Sequence, residues 1–252
     1  MIGDPSEKYR ARIYRDYASS IEPTLRSAQT RESLSASDDA FERFHLHLLP
    51  TDKKAHIFDA GAGRGAFLDY LARKGYANAL GVDRSPETVR RAKELGVRSL
   101  DLGDAGTHLA QHPAYYDCVI ALDVLEHLRK DEVMDFLDAV FKALKPGGML
   151  VVQTANADGP LFGRMMYADF THETAFTRYS LYQAFGATGF TESEFHPLGP
   201  VGSGFRACLR RQLWKLIRLG VNLYYHVETG SGIFHNDHIL TLDFLGKTRK
   251  PA

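Results

Sequence analysis

Three short stretches of this chain carry side chains able to do chemistry. "YADFTHETAFT", Tyr167 to Thr177, brings Asp169, His172 and Glu173 together among aromatic residues. Histidine titrates near neutral pH and a neighbouring carboxylate can orient its ring, so the cluster has the makings of a proton-transfer site. The same residue types also bind metals, and Thr171 with Thr174 or Glu173 would equally serve as the polar start of a helix at about Thr177. "DVLEH" spaces Asp123, Glu126 and His127 as acid-x-x-acid-His. With His172 as a later ligand it would offer a mixed oxygen and nitrogen shell suited to Mg²⁺, Mn²⁺ or Zn²⁺. "DAGAGRG", Asp59 to Gly65, is a glycine turn whose Gly61, Gly63 and Gly65 let the backbone bend sharply and approach a ligand at a helix N-terminus.

The elements that must position these stretches are legible in the surrounding pattern. From Ala55 onward short apolar runs alternate with amphipathic helices. "AHIFDA" reads as a strand before the glycine turn and "AFLDYLARKG" as a helix stopped by Gly75. "ALGVD" is a second strand, followed by "SPETVRRAKELG", a helix with Ser85 as cap, Pro86 at its first position and Gly96 as stop. "DCVIALD" and "MLVVQTAN" are buried strands joined by a helix that closes in a Lys-Pro-Gly-Gly turn. Such βα repeats with non-alternating apolar strands imply a parallel sheet covered on both faces, with ligands bound beyond the carboxyl ends of the strands. Ahead of the sheet, Phe41, Phe44, Leu48 and Leu49 recur at helical spacing. Residues 1–52 are therefore expected to form a helical N-terminal cap.

Composition bounds the functional class. The chain has 252 residues with 31 basic and 31 acidic side chains, so its total charge gives no reason to expect a nucleic-acid partner. Two distant cysteines, Cys118 and Cys208, have no ligand-like spacing and read as reduced and buried, which suits the cytoplasm. The N-terminal residues lack the apolar core of a signal peptide, and no apolar run reaches the ~20 residues of a membrane span.

The glycine turn and Asp83, placed at the end of the second strand to accept bonds from ribose hydroxyls, point to an adenosine-containing ligand. Asp59 discriminates between the two classes of such ligand. A carboxylate just before the first glycine repels a pyrophosphate but suits the ammonium group of S-adenosylmethionine, which disfavours an NAD-binding oxidoreductase.

"DAGAGRG", "GVDRSPETVRRAKE", "ALDVLEHL" and "ALKPGGMLVVQT", in that order and spacing, resemble the class I S-adenosylmethionine-dependent methyltransferases over residues 55 to about 190. The resemblance implies a Rossmann-like, seven-stranded, mostly parallel α/β sheet of order 3-2-1-4-5-7-6, with an antiparallel seventh strand for which "HILTLDFLGKTR" is available. It implies that Asp59, Gly61, Gly63 and Gly65 cradle the methionine part of the cofactor, that Asp83 holds the ribose and that Asp123 also borders the cofactor. The adenine contact follows the third strand, where "SLDLGDAG" offers Asp101 and Asp104; spacing favours Asp104. Residues 53–156 would then be the cofactor-binding core, and 157–252 a substrate-shaping region with the strands that complete the domain. The tail, "THETAFT" through "LYYHVETG", resembles bacterial methyltransferases of sugar and cell-surface polysaccharide modification.

Methyl transfer from a sulfonium needs in-line placement of the acceptor and no acid for the leaving group. A hydroxyl acceptor must also lose a proton, so it needs a base or a metal. The expected activity is O-methylation of a saccharide-like hydroxyl with His172 as base, assisted by Asp169 or Glu173. The alternatives are a quinone-type or other small-molecule O- or N-methyltransferase, the divalent-metal mechanism, and a non-catalytic S-adenosylmethionine-binding regulator. A basic amphipathic helix at 205–220 carries Arg206, Arg210, Arg211, Lys215 and Arg218 among leucines and Trp214. It is expected to pack its apolar stripe on the body or on a second copy, with peripheral contact to an anionic membrane or saccharide as the alternative.

Overall fold

The computed structural model describes residues 5–17, 19, 30–230 and 238–252. Seven strands form one sheet: β1 (Ile57–Ala60), β2 (Ala79–Asp83), β3 (Leu100–Leu102), β4 (Tyr116–Leu122), β5 (Leu144–Ala155), β6 (Thr191–Pro197) and β7 (Asp243–Arg249). Their order is β3-β2-β1-β4-β5-β7-β6, as the resemblance implies. The first five strands run parallel to one another, while β7 runs antiparallel to both β5 and β6. The helices are α1 (Pro5–Arg15), α2 (Ala66–Arg73), α3 (Pro86–Glu94), α4 (Ala105–Ala110), α5 (Lys130–Ala143), α6 (Phe162–Met166), α7 (Arg178–Thr188) and α8 (Gly204–Thr229).

The apolar runs of β1, β4 and β5 are continuous because both faces of the sheet are covered. Side chains alternate across the pleat. Ile57, Cys118, Ile120 and Val151 enter one core with Phe67 and Leu71 of α2, Val89 of α3 and Phe41 and Leu48 of the helical run 31–48. Phe58, Val119, Ala121 and Val152 enter the opposite core with Leu109 of α4, Phe136 and Leu137 of α5 and Leu181 and Phe185 of α7. The parallel strands therefore deliver their carboxyl ends to one edge, together with the start of β7, where Asp243 stands opposite Ala155.

Three expectations need correction. The Lys-Pro-Gly-Gly turn is the bulged start of β5: Tyr116 pairs with Leu144, and pairing resumes with Cys118 opposite Met149. The irregular stretch is secured by Lys145, which bonds Asp117 at 2.7 Å, and by the Gly147 N–H, which donates to the Lys250 carbonyl at 3.0 Å. Cys118 is buried as expected, but Cys208 is exposed. The reason is the position of α8, in which only Ala207 is buried. The helix turns Trp214, Arg218 and Tyr225 toward the body and leaves Leu209, Leu213, Leu216 and Leu223 exposed, so its apolar stripe does not pack on the domain.

Candidate active site

The turn after β1 is built for close approach by a ligand. Gly61, Gly63 and Gly65 all have φ between +54° and +74°, a region that L side chains rarely adopt. A Cβ on Gly61 would meet Val124 Cγ2 at 2.7 Å and one on Gly65 would meet Val97 Cγ1 at 2.6 Å, whereas around Gly63 nothing lies within 4 Å. Gly63 thus borders open space, and its N–H donates to Asp83 Oδ2 at 2.9 Å. The Ser85 N–H occupies Asp83 Oδ1 at 2.8 Å. Burial raises the pKa of Asp83, and these two bonds act in the opposite direction.

Asp59 is the electrostatic centre of this half of the site. It is 1 % exposed and its Oδ2 has no hydrogen-bond partner among the described residues. Burial, then repulsion from Asp83, pushes its carboxyl up to about 8. A buried, unpartnered carboxyl beside a glycine cradle calls for a cationic ligand group, so these residues fit the ammonium group of S-adenosylmethionine.

Asp104 caps α4, its Oδ1 accepting from the Thr107 N–H and hydroxyl at 2.8 Å each, and pairs with Arg84 at 2.6 Å. Burial opposes its ionisation, but these partners outweigh burial and lower its pKa. Asp104 lines the cavity at the sheet edge, while Asp101 is exposed and bonded to Lys93 at 3.1 Å. Of the pair offered by "SLDLGDAG", Asp104 thus faces the cavity and Asp101 faces solvent.

Beyond β4 the chain turns through Asp123, whose φ of +56° marks a strained non-glycine position. Its carboxylate opens on the cavity and accepts from Gln153 Nε2 at 3.0 and 3.1 Å. Enclosure by the surrounding protein raises its pKa, opposed by Gln153 and by His172. Glu126 is buried, accepts from the Thr154 hydroxyl at 3.0 Å and has its carboxyl pushed up to about 8 by burial and by Asp123. Asp243 joins them on the cavity wall, its carboxyl raised to about 7 by the same two causes. No motif around Asp243 signalled this; only the antiparallel insertion of β7 beside β5 brings it here.

"YADFTHETAFT" does end at a helix start, as one of its readings expected, but the cap is Thr177 and not Thr171, Thr174 or Glu173: Thr177 Oγ1 accepts from the Ser180 N–H of α7 at 3.1 Å. Asp169 and His172 of the same stretch line the site. Asp169 Oδ1 accepts from the Thr171 N–H at 2.8 Å and hydroxyl at 2.7 Å, and Oδ2 from the Tyr17 hydroxyl at 2.6 Å. Burial opposes ionisation of Asp169, but these donors outweigh it and lower its pKa. With its proton given to Asp169, the Thr171 oxygen is an acceptor for Nδ1–H of His127 at 2.8 Å. His172 is held separately: its Nδ1–H donates to the Met165 carbonyl at 3.1 Å. In their neutral forms both imidazoles thus carry the free lone pair on Nε2, with ring centres 4.7 Å apart. Burial, then the neighbouring His172, pushes His127 down to about 4, so it is neutral at physiological pH.

The structure therefore redistributes the expected roles. Asp169 acts on His127 through Thr171 and does not touch His172. Glu173 leaves the cluster: it is exposed, stands 3.4 Å from Arg10, and its N–H donates to the Glu126 carbonyl at 2.7 Å. The metal set Asp123, Glu126, His127 and His172 does not assemble, because Glu126 is buried on Thr154. Among the described residues, the group whose ligand atoms lie within 4.8 Å of one another is His127, Asp169 and His172.

Helix α1 and the residues after it contribute parts that no motif announced. Arg10, 3 % exposed, bonds Glu132 at 2.6 and 2.8 Å and the His127 carbonyl at 3.2 Å. It seats the helix so that Tyr14 and Tyr17 line the cavity. Tyrosines 9, 14 and 17 were visible in the sequence, but their spacing suits core packing as well. The resulting cavity, about 890 Å³, runs from Asp83 and Asp104 to His127 and His172, with Leu122, Val124, Phe136 and Met165 as apolar wall.

A family model described as "Methyltransferase domain" matches residues 32–193. Ubiquinone biosynthesis O-methyltransferase of Xylella fastidiosa is 34% identical over 107 residues, 40% of this chain and 42% of that protein. The protein of the same name from Methylocella silvestris is 32% identical over 124 residues, 45% of this chain and 47% of its own. The matched segment thus spans less than half the length of these curated relatives. Among solved structures, a SAM-dependent methyltransferase from Archaeoglobus fulgidus superposes with TM-score 0.60 at 19% identity, covering 88% of this chain and 95% of that one. Human N-acetylserotonin methyltransferase in complex with SAM gives TM-score 0.60 at 17% identity over 99% of this chain and 61% of its own. These two likenesses show the fold.

Proposed function

The chain belongs to the methyltransferase-domain family, and on that premise we propose that it uses S-adenosylmethionine to O-methylate a hydroxyl on a compact, partly apolar ring, a phenol- or quinol-type acceptor. Family membership sets aside the NAD-dependent alternative. The observation that carries the reading is the pair of imidazoles in one cavity wall, each with Nδ1 committed to a protein acceptor and Nε2 left as a base. A hydroxyl acceptor needs that feature; a carboxylate acceptor does not. The apolar wall of Leu122, Val124, Phe136 and Met165 suits a ring better than a saccharide, which would require a polar lining. The relatives of this chain named ubiquinone biosynthesis O-methyltransferases support the same preference over the saccharide expected from the tail.

When bound, S-adenosylmethionine supplies a methyl group on a positively charged sulfur. Asp59, the glycine turn and Asp83 would hold its amino-acid and ribose parts, with Asp104 at the adenine end. His172 Nε2 takes the acceptor's hydroxyl proton. The bond from Nδ1–H to Met165 keeps the lone pair in place, and Asp123, which interacts electrostatically with His172, stabilises the imidazolium. His127, neutral and held by the Asp169–Thr171 chain, offers a fixed acceptor that orients the hydroxyl. Tyr14 and Tyr17 close the cavity side and reduce water access.

Transfer of a labelled methyl group to a panel of catechols, quinols, hexoses and amines tests the assignment. Labelling of a phenolic hydroxyl that is lost in His172→Ala supports it. Labelling confined to hexoses overturns the acceptor class, and labelling confined to amines overturns O-methylation.

A further inference from the structure

A second cavity, about 460 Å³, lies at the same sheet edge as the first, on the far side of the 238–242 segment. It opens beyond the carboxyl end of β6, where Pro197 stands opposite Phe244. Its wall collects Arg43, Arg178, Arg211, Lys215 and Arg218 around Trp214, and among the described residues no carboxylate lines it. Arg178, Arg211 and Arg218 are half-buried, so their charges are partly removed from water. Arg43, Lys215 and Arg218 make no ion pair among the described residues. Arg211 gives Nη1 to the Gly202 carbonyl at 2.9 Å, and Arg178 lies over the Tyr179 ring at 4.4 Å. Asp158 interacts electrostatically with Arg178 and His238 but stands outside the wall.

Like charges gathered in a partly desolvated concavity repel one another, and an anion placed among them relieves that repulsion. Guanidinium forks match phosphate oxygens in geometry, and several forks converging on one hollow favour a group with several anionic oxygens over a single carboxylate. The flanking Trp214 and Phe195 add apolar surface for the organic part of such a ligand. The chain as a whole carries no net charge, so this concentration of cations is local.

We propose that this second cavity is a binding site for a diphosphate-type group, separate from the methyl-transfer site and built by α8, the 238–241 segment, Arg43 and Arg178. The inference does not depend on which acceptor is methylated. The group can belong to a soluble organic diphosphate or to a lipid headgroup that carries two phosphates.

Trp214 is the only tryptophan of the chain, so its fluorescence reports on this cavity alone. Inorganic pyrophosphate is titrated into the full chain saturated with S-adenosylhomocysteine, with NaCl at matched ionic strength as control. A saturable change with pyrophosphate and none with NaCl is expected. In the double variant Arg211→Gln, Arg218→Gln the affinity should fall by about tenfold or more, each fork being a charge-assisted contact. Lys215→Gln, an exposed position, gives a second and smaller loss should the double variant fail to fold. Cardiolipin vesicles, whose headgroup carries two phosphates, identify a lipid headgroup as the source where they displace pyrophosphate; vesicles that do not identify a soluble ligand, and either result keeps the site. No saturable response, or one unchanged in both variants, overturns the proposal. Methyl transfer that survives such a failure leaves the proposed function intact, so the two readings fail separately.

Discussion

The hydroxyl of Thr171 donates to Asp169 at 2.7 Å and so obliges His127 to meet it with Nδ1–H, at 2.8 Å. One hydroxyl proton thus decides which nitrogen of a buried imidazole faces the cavity. Removing that hydroxyl with Thr171→Val should lower kcat by about a hundredfold, the low end of general acid-base contributions. Thr171→Ser should recover most of the rate. Equal loss in both variants with unchanged melting temperatures would refute the tautomer role.

His172→Ala should cost on the order of 10²- to 10⁴-fold in kcat while S-adenosylhomocysteine affinity, read by calorimetric titration, stays nearly constant. His127→Asn should cost less. A larger loss at His127 would exchange the two roles and make His127 the base.

Asp59 makes cofactor binding a proton-linked event. Its carboxyl is pushed up to about 8, so the free protein holds it protonated at pH 6.5 to 7, whereas the ligand's ammonium favours the ionised form. Binding of S-adenosylhomocysteine in that range should release close to one proton, measured as the dependence of binding heat on buffer ionisation enthalpy. Asp59→Asn should abolish the release. Proton uptake, or no buffer dependence, would contradict the assignment.

The same buried acids set the pH dependence of the free protein's stability. Asp59 and Glu126 are raised to about 8 and Asp243 to about 7, all above their unfolded values. The folded state therefore binds more protons than the unfolded state. This contribution is fully present below about pH 4, where the unfolded carboxyls are also protonated, and is lost as pH rises toward 8. Below about pH 6.5 the lowered histidines, His127 among them, act in the opposite direction, so the melting temperature of the ligand-free protein should fall between about pH 6.5 and 8, and Glu126→Gln should flatten that slope.

Gly61 and Gly63 should separate folding from binding. A methyl group at Gly61 would overlap Val124 and occupy a positive-φ position, so Gly61→Ala should lower the melting temperature. Gly63→Ala meets no neighbour and carries only the backbone cost of about 1 kcal/mol, yet should weaken S-adenosylhomocysteine binding. Normal binding by Gly63→Ala would show that the ligand does not approach this turn.

Much of this protein was determined by its sequence alone. Strand and helix identity from Ala55 to Ala155 followed from apolar runs, caps and glycine stops, because these are local signals read over a few residues. The glycine-turn half of the proposed site, Asp59 through Asp83, was equally legible, since one turn and one strand end carry it within a short span. The acceptor half was legible only as a list of residue types. Nothing in "YADFTHETAFT" distinguishes Asp169, which reaches His127 through Thr171, from Glu173, which turns out toward Arg10. That difference depends on side-chain direction, which the docking of α1 and the path of the loop decide. Asp243 came to the cavity by antiparallel strand insertion, and five cations reached one hollow from segments 168 residues apart, Arg43 to Arg211. Contacts between elements distant in the chain leave no periodicity or spacing to read, so only tertiary structure could place them.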